Sequence, residues 1–591
     1  MARRRILLFS LLLLACPLRG PAQDSAPRLS VSYAVDASNP EGGKIRVVMT
    51  VRNNAEDDVP VALPAWAPGA YRIVKYSKQV SNVEAANDGV KLDVGAVDDQ
   101  TWSVKAGGVP RFSVSYELAV EKSRMDKDHC FLAGPDTYFY LVRHKDAPCS
   151  VAFSLPDGWR VGTPLEADGP VYRARDYDTL VDCPTELGRF ELYSCEADGA
   201  TYELVIHAKG PVDGPKLTEM CRKIVTEQNR VFGAPPFKRY VFLYHFKDAT
   251  GGRGLEHLNS TDIIMPYTAI KADPLLAASV TSHEYVHLWN VKRIRPAELG
   301  PFDYTQIVRS KALWLCEGVT SYFGDRGLVR AGIWKEQQYL DHLAGEIESL
   351  QNNSDRKVTS VEKASESIWD RKDWPRVDYY NKGELLGLLI DLKIRTATRG
   401  EKSIDDVLRH LKETYVVGPS RDGKGPIGVG YPEDGILKAL RAVSGEDWQT
   451  FHASYIRGVE ELPFQEVLEA AGLSAAITVV ETPDLGVDLR GTGVLYVYPG
   501  GEADKAGIRQ GDRVVGVNGT EVNRTTIRDA IADLPPGEEA RLLILRGEEK
   551  FDAKVKPKTK QRTTCRIGRR PDPSELQKRL IDAWLGKPRE F

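Results

Sequence analysis

Hydrophobic and polar positions change period twice along the chain, and each change marks a new body. Between Leu29 and about Ala208, stretches such as LSVSYAVDA, KIRVVMTVRN, FSVSYELAV and TYELVIHA alternate or run apolar, with Asn, Gly, Pro and Asp between them. Short period-two runs rich in β-branched and aromatic residues are strands, and a series of them predicts a β-sandwich over residues 23–208. From about Pro211 the spacing becomes 3.6: LTEMCRKIVTEQNRVFG, DPLLAASVTSHEYVHLWNV and GELLGLLIDLKIRTA predict a mainly helical body over residues 209–465. Strands return around Ile477 and continue to Val555, a third body over residues 466–560. KPKTKQRTTCRIGRRPDP reads as a solvated basic linker, opening a tail over residues 561–591. Ser574 with Gln577 is a capping signature, and Leu576, Leu580 and Trp584 share one face beyond it. They predict a short C-terminal helix docked on the body. The expected fold class is multi-domain α+β.

Composition narrows the picture without changing it. A chain of 591 residues with 42% hydrophobic and 28% charged positions is folded globular protein in several domains. A net charge of −3 provides no electrostatic footprint for nucleic acid. Residues 1–22 read as a signal peptide: MARRR, then a run of ten from Ile6 to Ala15, which at ~1.5 Å per residue spans about half of a ~30 Å hydrocarbon core. Cleavage after Gly20-Pro21-Ala22 leaves Gln23 first and predicts export to the periplasm or the medium. The competing reading is a lipoprotein signal with Cys16 as the anchored residue, the one route to a membrane. Loss of the segment's four arginines lowers the charge from −3 to −7. Export permits disulfides, and Cys130 with Cys149 or Cys183 with Cys195 are candidate pairs.

The chemistry sits in the helical middle. His283-Glu284-Tyr285-Val286-His287 is HExxH, and Asp273-Pro274 upstream supplies an N-cap and an N1 proline, which predicts that the five residues lie well inside a helix. At i and i+4 both imidazoles share a face, where two nitrogens can hold one zinc ion and Glu284 can reach the attacking water. A catalytic zinc takes a third protein ligand. Glu317, in Trp314-Leu315-Cys316-Glu317-Gly318, lies among apolar neighbours thirty residues after His287 and is the favoured candidate. Glu298 follows Pro296 outside a clear helix, and Cys316 points ~100° away from Glu317.

These residues resemble the gluzincin metallopeptidases, the group containing thermolysin and aminopeptidase N. Three further stretches narrow the resemblance to their glycyl-aminopeptidase family (metallopeptidase family sixty-one). Gly254-Leu255-Glu256-His257 is similar to its GLEH motif, Tyr380-Asn381-Lys382-Gly383 to its Y-x-K-G, and Trp66-Ala67-Pro68-Gly69-Ala70-Tyr71 to the W-x-P-G-x-Y of its N-terminal β domain. The resemblance covers roughly residues 29 to 560. It implies a thermolysin-like catalytic domain with one zinc per chain on His283, His287 and Glu317. Glu284 is then the general base and Tyr380 the donor to the oxyanion, with Tyr379 beside it as the alternative. Glu256, with Gly254 and Leu255, would bind the free α-ammonium of a peptide, making the enzyme an aminopeptidase. Arg253 interrupts the glycines before this motif. Ser321 stands four residues after Glu317 where thermolysin carries an aspartate, so the support of the ligands is unassigned. Preference for N-terminal glycine or alanine is a family expectation.

The third body resembles a bacterial PDZ domain, in Glu502-Ala503-Asp504-Lys505-Ala506-Gly507-Ile508 and Gln510-Gly511-Asp512 through Asn518-Gly519. It implies a groove for a C-terminal peptide, with Leu485-Gly486-Val487 as the carboxylate loop and Ile527 and Ile531 as a wall. Two other readings stay open: a zinc endopeptidase with Glu256 structural, and a PDZ-bearing binding scaffold that no longer turns over.

Overall fold

The computed structural model describes residues 28–370, 377–416 and 429–586. The signal segment and Cys16 lie outside the described residues.

Strands Lys44–Arg52 and Arg111–Ala119 bury alternate residues, as their period demands. They form the middle of an eight-stranded sheet, in which Ser30–Asp36 pairs antiparallel with Lys44–Arg52 and parallel with Cys149–Ser154. A four-stranded sheet around Asp58–Ala62 and Thr101–Lys105 completes the sandwich over a core including Tyr33, Met49, Phe112 and Tyr116. A three-stranded sheet (Arg160–Gly162, Thr185–Gly188, His129–Leu132) stands beside it.

The sandwich ends near Gly188, not at residue 208. Strands Glu191–Ala197 and Ala200–Ala208 belong to the catalytic body, because Ala200–Ala208 pairs parallel with Arg239–Lys247. That central strand also runs parallel to Ser260–Pro266, and Arg253–Glu256 closes the edge antiparallel. Arg239–Lys247 is buried along seven of its nine residues, which explains its unbroken apolar run. Helices Gly214–Phe232, Ala278–His287, Val319–Arg330 and Tyr379–Ala397 pack into one core with this sheet.

The basic segment expected to be a linker is a strand. Lys558–Arg569 pairs antiparallel with Leu473–Asp484 along twelve residues, a two-stranded ribbon between the catalytic body and the third domain. Its lysines and arginines mostly face water, while Cys565 and Ile567 enter the catalytic core, a period-two pattern that the charge concealed. The PDZ fold proper occupies the residues between these strands, with its own core around Val494, Val514, Leu542 and Ile544. Helix Phe464–Ala470, assigned from sequence to the third body, packs on the catalytic core. The C-terminal helix Glu575–Leu585 is capped by Ser574 and Gln577 as expected. It buries Trp584, whose Nε1 donates to Tyr322 Oη at 2.7 Å. The seven described cysteines are free thiols, six of them buried, so neither candidate disulfide forms. No described helix is long and apolar enough to cross a membrane.

Candidate active site

Asp273 caps the metal-site segment as its sequence predicts, accepting from Leu275 N at 3.1 Å, and Pro274 opens a tight turn that feeds helix Ala278–His287. HExxH therefore fills the last part of the helix, ending it, rather than lying well inside. Sequence signals marked the start of this helix, but no glycine or proline marked its stop before Pro296. The early stop lets the chain turn back, and the carbonyl of Asn290 accepts from His287 Nδ1 at 2.7 Å. A carbonyl only accepts, so Nδ1 carries a proton and Nε2 is the nitrogen left to face a metal.

Ser321 does the same for His283. Its hydroxyl donates to Glu317 O at 3.2 Å and lies 3.2 Å from His283 Nδ1. With its one proton spent on the carbonyl, the serine accepts from Nδ1–H. The residue in the aspartate's place thus orients the ligand by a neutral hydrogen bond.

Glu317 arrives from a π-helical turn, Trp314–Gly318, a local form that recurs at functional sites. His283 Nε2, His287 Nε2 and Glu317 Oε2 stand 3.0, 3.2 and 3.6 Å apart. A tetrahedral zinc with bonds of ~2.0–2.2 Å spaces its ligands by about 3.3 Å, so this donor set fits the ion. Electrostatics agree. Burial alone would lower His287, yet Glu317 raises it to about 10. Burial would raise Glu317, yet the two imidazoles hold it far below the carboxylate range. The triad calls for positive charge at its centre. The rival ligands are committed elsewhere: Glu298 accepts from Ser310 Oγ at 2.6 Å, and Cys316 is sealed in the core.

Glu284 is buried beside the triad, and its Oε2 has no hydrogen-bond partner among the described residues. Burial, with Glu256 and Glu317 nearby, raises its pKa well above the carboxylate norm. Gly254 explains the first glycine of the GLEH segment: a Cβ there would fall 2.3 Å from Glu284 Oε1. Leu255 and Glu256 follow on the same edge strand. Glu256 is buried, no lysine or arginine pairs with it among the described residues, and its carboxylate lies within 4.8 Å of ligand atoms of Glu284 and His287. Tyr380 starts helix Tyr379–Ala397, and its ring opens into the cleft beside His283, with centroids 6.0 Å apart. Tyr379 is buried, which favours Tyr380 as the donor. The cleft, about 310 Å³, is lined by Gly254, His283, Glu284, Ser321 and Tyr380 among others.

The PDZ loop is found as expected in place but not in state. Leu485 is buried, and Gly486, at φ +76°, already gives its N–H to Asp484 Oδ1 at 3.0 Å. Val487–Arg490 is an edge strand, paired only with Gly493–Val497 among the described residues, and Ile527 is buried in the PDZ core.

Sequence reasoning missed two contributions from the first domain. Tyr71 joins the catalytic core, and Asp182 binds His257, the last residue of the GLEH motif, at 3.0 Å. The W-x-P-G-x-Y string signalled the first without a role; nothing local signalled the second.

Two histidines and a glutamate aimed at one point, with a buried carboxylate beside them, define a metallopeptidase. A family model described as M61 glycyl aminopeptidase matches residues 277–386, one for the M61 N-terminal domain matches residues 32–189, and a PDZ domain model matches residues 493–546. The chain carries both domains of the M61 glycyl aminopeptidases with a PDZ domain behind them. Its fold is that of an aminopeptidase N family protein from Idiomarina loihiensis, 23% identical, with a TM-score of 0.80 over 93% of this chain and 100% of that one. An M1 zinc metallopeptidase from Deinococcus radiodurans is 15% identical, with a TM-score of 0.44 over 74% of this chain and 95% of that one. No curated protein matches the chain.

Proposed function

We propose that the protein is a zinc aminopeptidase that removes N-terminal residues, small ones such as glycine and alanine, from peptides. The observation that carries this reading is the placement of Glu256: a buried carboxylate with no lysine or arginine in ion-pair contact among the described residues, beside a triad spaced for one zinc. When bound, zinc supplies Lewis acidity, polarising the scissile carbonyl and lowering the pKa of water toward ~7. His283, His287 and Glu317 hold it. Glu284 accepts the proton of the attacking water and passes it to the leaving amine. Tyr380 donates its hydroxyl hydrogen bond to the oxyanion. Glu256 pairs with the α-ammonium and so registers the first peptide bond over the triad. Burial raises Glu256, with Glu317 adding to it, and an ammonium partner relieves that cost.

Peptides with a free N-terminus are the substrates. The N-terminal segment supports export, and the PDZ groove is offered to a peptide C-terminus. Zinc content together with hydrolysis of glycyl- and alanyl-anilides tests the reading, with Glu284→Gln as control. One zinc per chain with turnover lost in Glu284→Gln, and no cleavage of N-acetylated twins, is the expected result. Equal cleavage of acetylated peptides means an endopeptidase; zinc without turnover means a scaffold.

A further inference from the structure

The W-x-P-G-x-Y loop belongs to the N-terminal domain by sequence, but it is bolted to the catalytic body. Trp66 is wholly buried and donates from Nε1 to Asp303 O at 2.9 Å. Its ring meets Trp369 edge-on at 5.2 Å and Phe302 at 6.1 Å. Ala65 N donates to Tyr304 O at 2.8 Å. Anchored this way, the loop reaches the Glu256 carboxylate. Gly69 sits at φ +91°, and a Cβ there would lie 2.6 and 2.7 Å from the two oxygens of Glu256.

Tyr71 follows at φ +43°, in the left-handed region that a bulky aromatic residue rarely adopts. Such strain persists where the surroundings over-determine it, and it clusters at functional sites. Here it turns the ring out of its own domain. Tyr71 is only 6% exposed, packs edge-on to Trp369 at 6.2 Å, and counts Glu317 and Glu256 among its electrostatic neighbours. Its hydroxyl has no hydrogen-bond partner among the described residues. With Gly69, Trp66, Glu256 and Lys292, whose ammonium is taken by Asp182 at 2.8 Å, it lines a cavity of about 20 Å³, space for one small group.

We propose that Tyr71 is a substrate-contacting residue supplied by the N-terminal domain: its hydroxyl accepts from the α-ammonium held by Glu256, and its ring, with Gly69, walls the space for the first side chain. The chemistry balances. An ammonium brings three N–H donors, one of them leaving for solvent or carbonyl only at a cost in a dry pocket. Glu256 offers two oxygens, and Tyr71 Oη is the third acceptor. The domain interface is then part of the specificity site, and a detached catalytic domain would be incomplete.

This rests on the aminopeptidase reading, and the test separates the two. The zinc-loaded enzyme, Tyr71→Phe and Tyr71→Ala are assayed on glycyl-, alanyl- and leucyl-anilides, with acetylated twins for the parent enzyme. Tyr71→Phe is expected to raise KM at least about tenfold, the size of one hydrogen bond to a charged group, with kcat little changed. Tyr71→Ala is expected to raise the leucyl-to-glycyl ratio of kcat/KM about tenfold or more. That ratio is internal to each enzyme, so a partly folded variant still reports it. An unchanged KM in Tyr71→Phe, or an unchanged ratio in Tyr71→Ala, overturns the proposal. A parent enzyme indifferent to acetylation overturns the aminopeptidase reading instead.

Discussion

At the scale of the residue, the two ligand histidines are oriented by unlike partners, a backbone carbonyl for His287 and the Ser321 hydroxyl for His283. The carbonyl cannot be mutated away; the hydroxyl can. Ser321→Ala should lower zinc affinity by roughly 10–100-fold, measured by titration against a metal buffer, while leaving the fold intact. An unaltered affinity would show that helix packing alone holds His283. Tyr380→Phe removes only the donor: kcat should fall ~10²–10³-fold with KM nearly constant, the pattern of an interaction made in the transition state. The metal ligands were legible in the sequence because their geometry is local, i and i+4 on one helix. Ser321 was visible only as a missing aspartate, and Tyr71 only as part of an unexplained motif, because their roles depend on contacts across elements and domains.

At the scale of the element, the glycines that follow Glu317 and Tyr380 are one feature. Helix Tyr379–Ala397 crosses the π-turn where Gly318 meets Gly383: a Cβ on Gly318 would lie 2.4 Å from Gly383 Cα, and one on Gly383 would lie 2.4 Å from Trp314 O. Both obstacles are backbone and cannot swing aside. Gly383→Ala should force the helices apart, costing about 1–3 kcal/mol of stability and lowering kcat through displacement of Tyr380. A Tm scan with steady-state kinetics checks both. Unchanged values in both would mean the crossing has slack. The helices were readable from their 3.6 period and the strands from their alternation. Period does not name a strand's partner, so Glu191–Ala208 read as sandwich although its neighbour is Arg239–Lys247. Lys558–Arg569 was hidden for a related reason: its charges face water on a ribbon whose partner residues lie 74 to 96 positions away.

At the scale of the molecule, the first domain grips the second through a short polar segment as well as through the Trp66 loop. Residues 182–186 carry two carboxylates, Glu186 buried and Asp182 largely so. Asp182 accepts from Leu258 N at 2.8 Å and pairs with Lys292 and His257. Glu186 lies between His129 of its own domain and His245 of the catalytic sheet, 3.0 Å from each, and His207 stacks on His129 at 3.7 Å. Burial would raise Glu186, but the two histidines bring it from 4.5 down to about 2. Burial would raise Asp182, but Lys292 and His257 bring it to about 2. Burial would lower His257, but Asp182 and Asp262 lift it from 6.5 to about 9. His207, by contrast, is lowered to about 4, by burial first and then by His129, and remains neutral at the clasp. A depressed carboxylate stabilises fully above its unfolded value and loses that contribution as pH falls through its folded one; a raised histidine does the reverse. The carboxylates and His257 are all fully engaged between about pH 4.5 and 6.5. His207, however, takes a proton below pH 6.5 only in the unfolded chain, so the clasp should be tightest near pH 6.5, weakening toward pH 2 on one side and pH 9 on the other. Glu186 alone accounts for about 3 kcal/mol on the acid limb. Because zinc loss also lowers stability in acid, the informative quantity is the difference in Tm between the parent protein and Glu186→Gln across pH. That difference should be largest above pH 4.5 and close toward pH 2. Two curves that run parallel would show that Glu186 is not the acid-sensitive link, and that the domains are held by the apolar packing of the Trp66 loop instead.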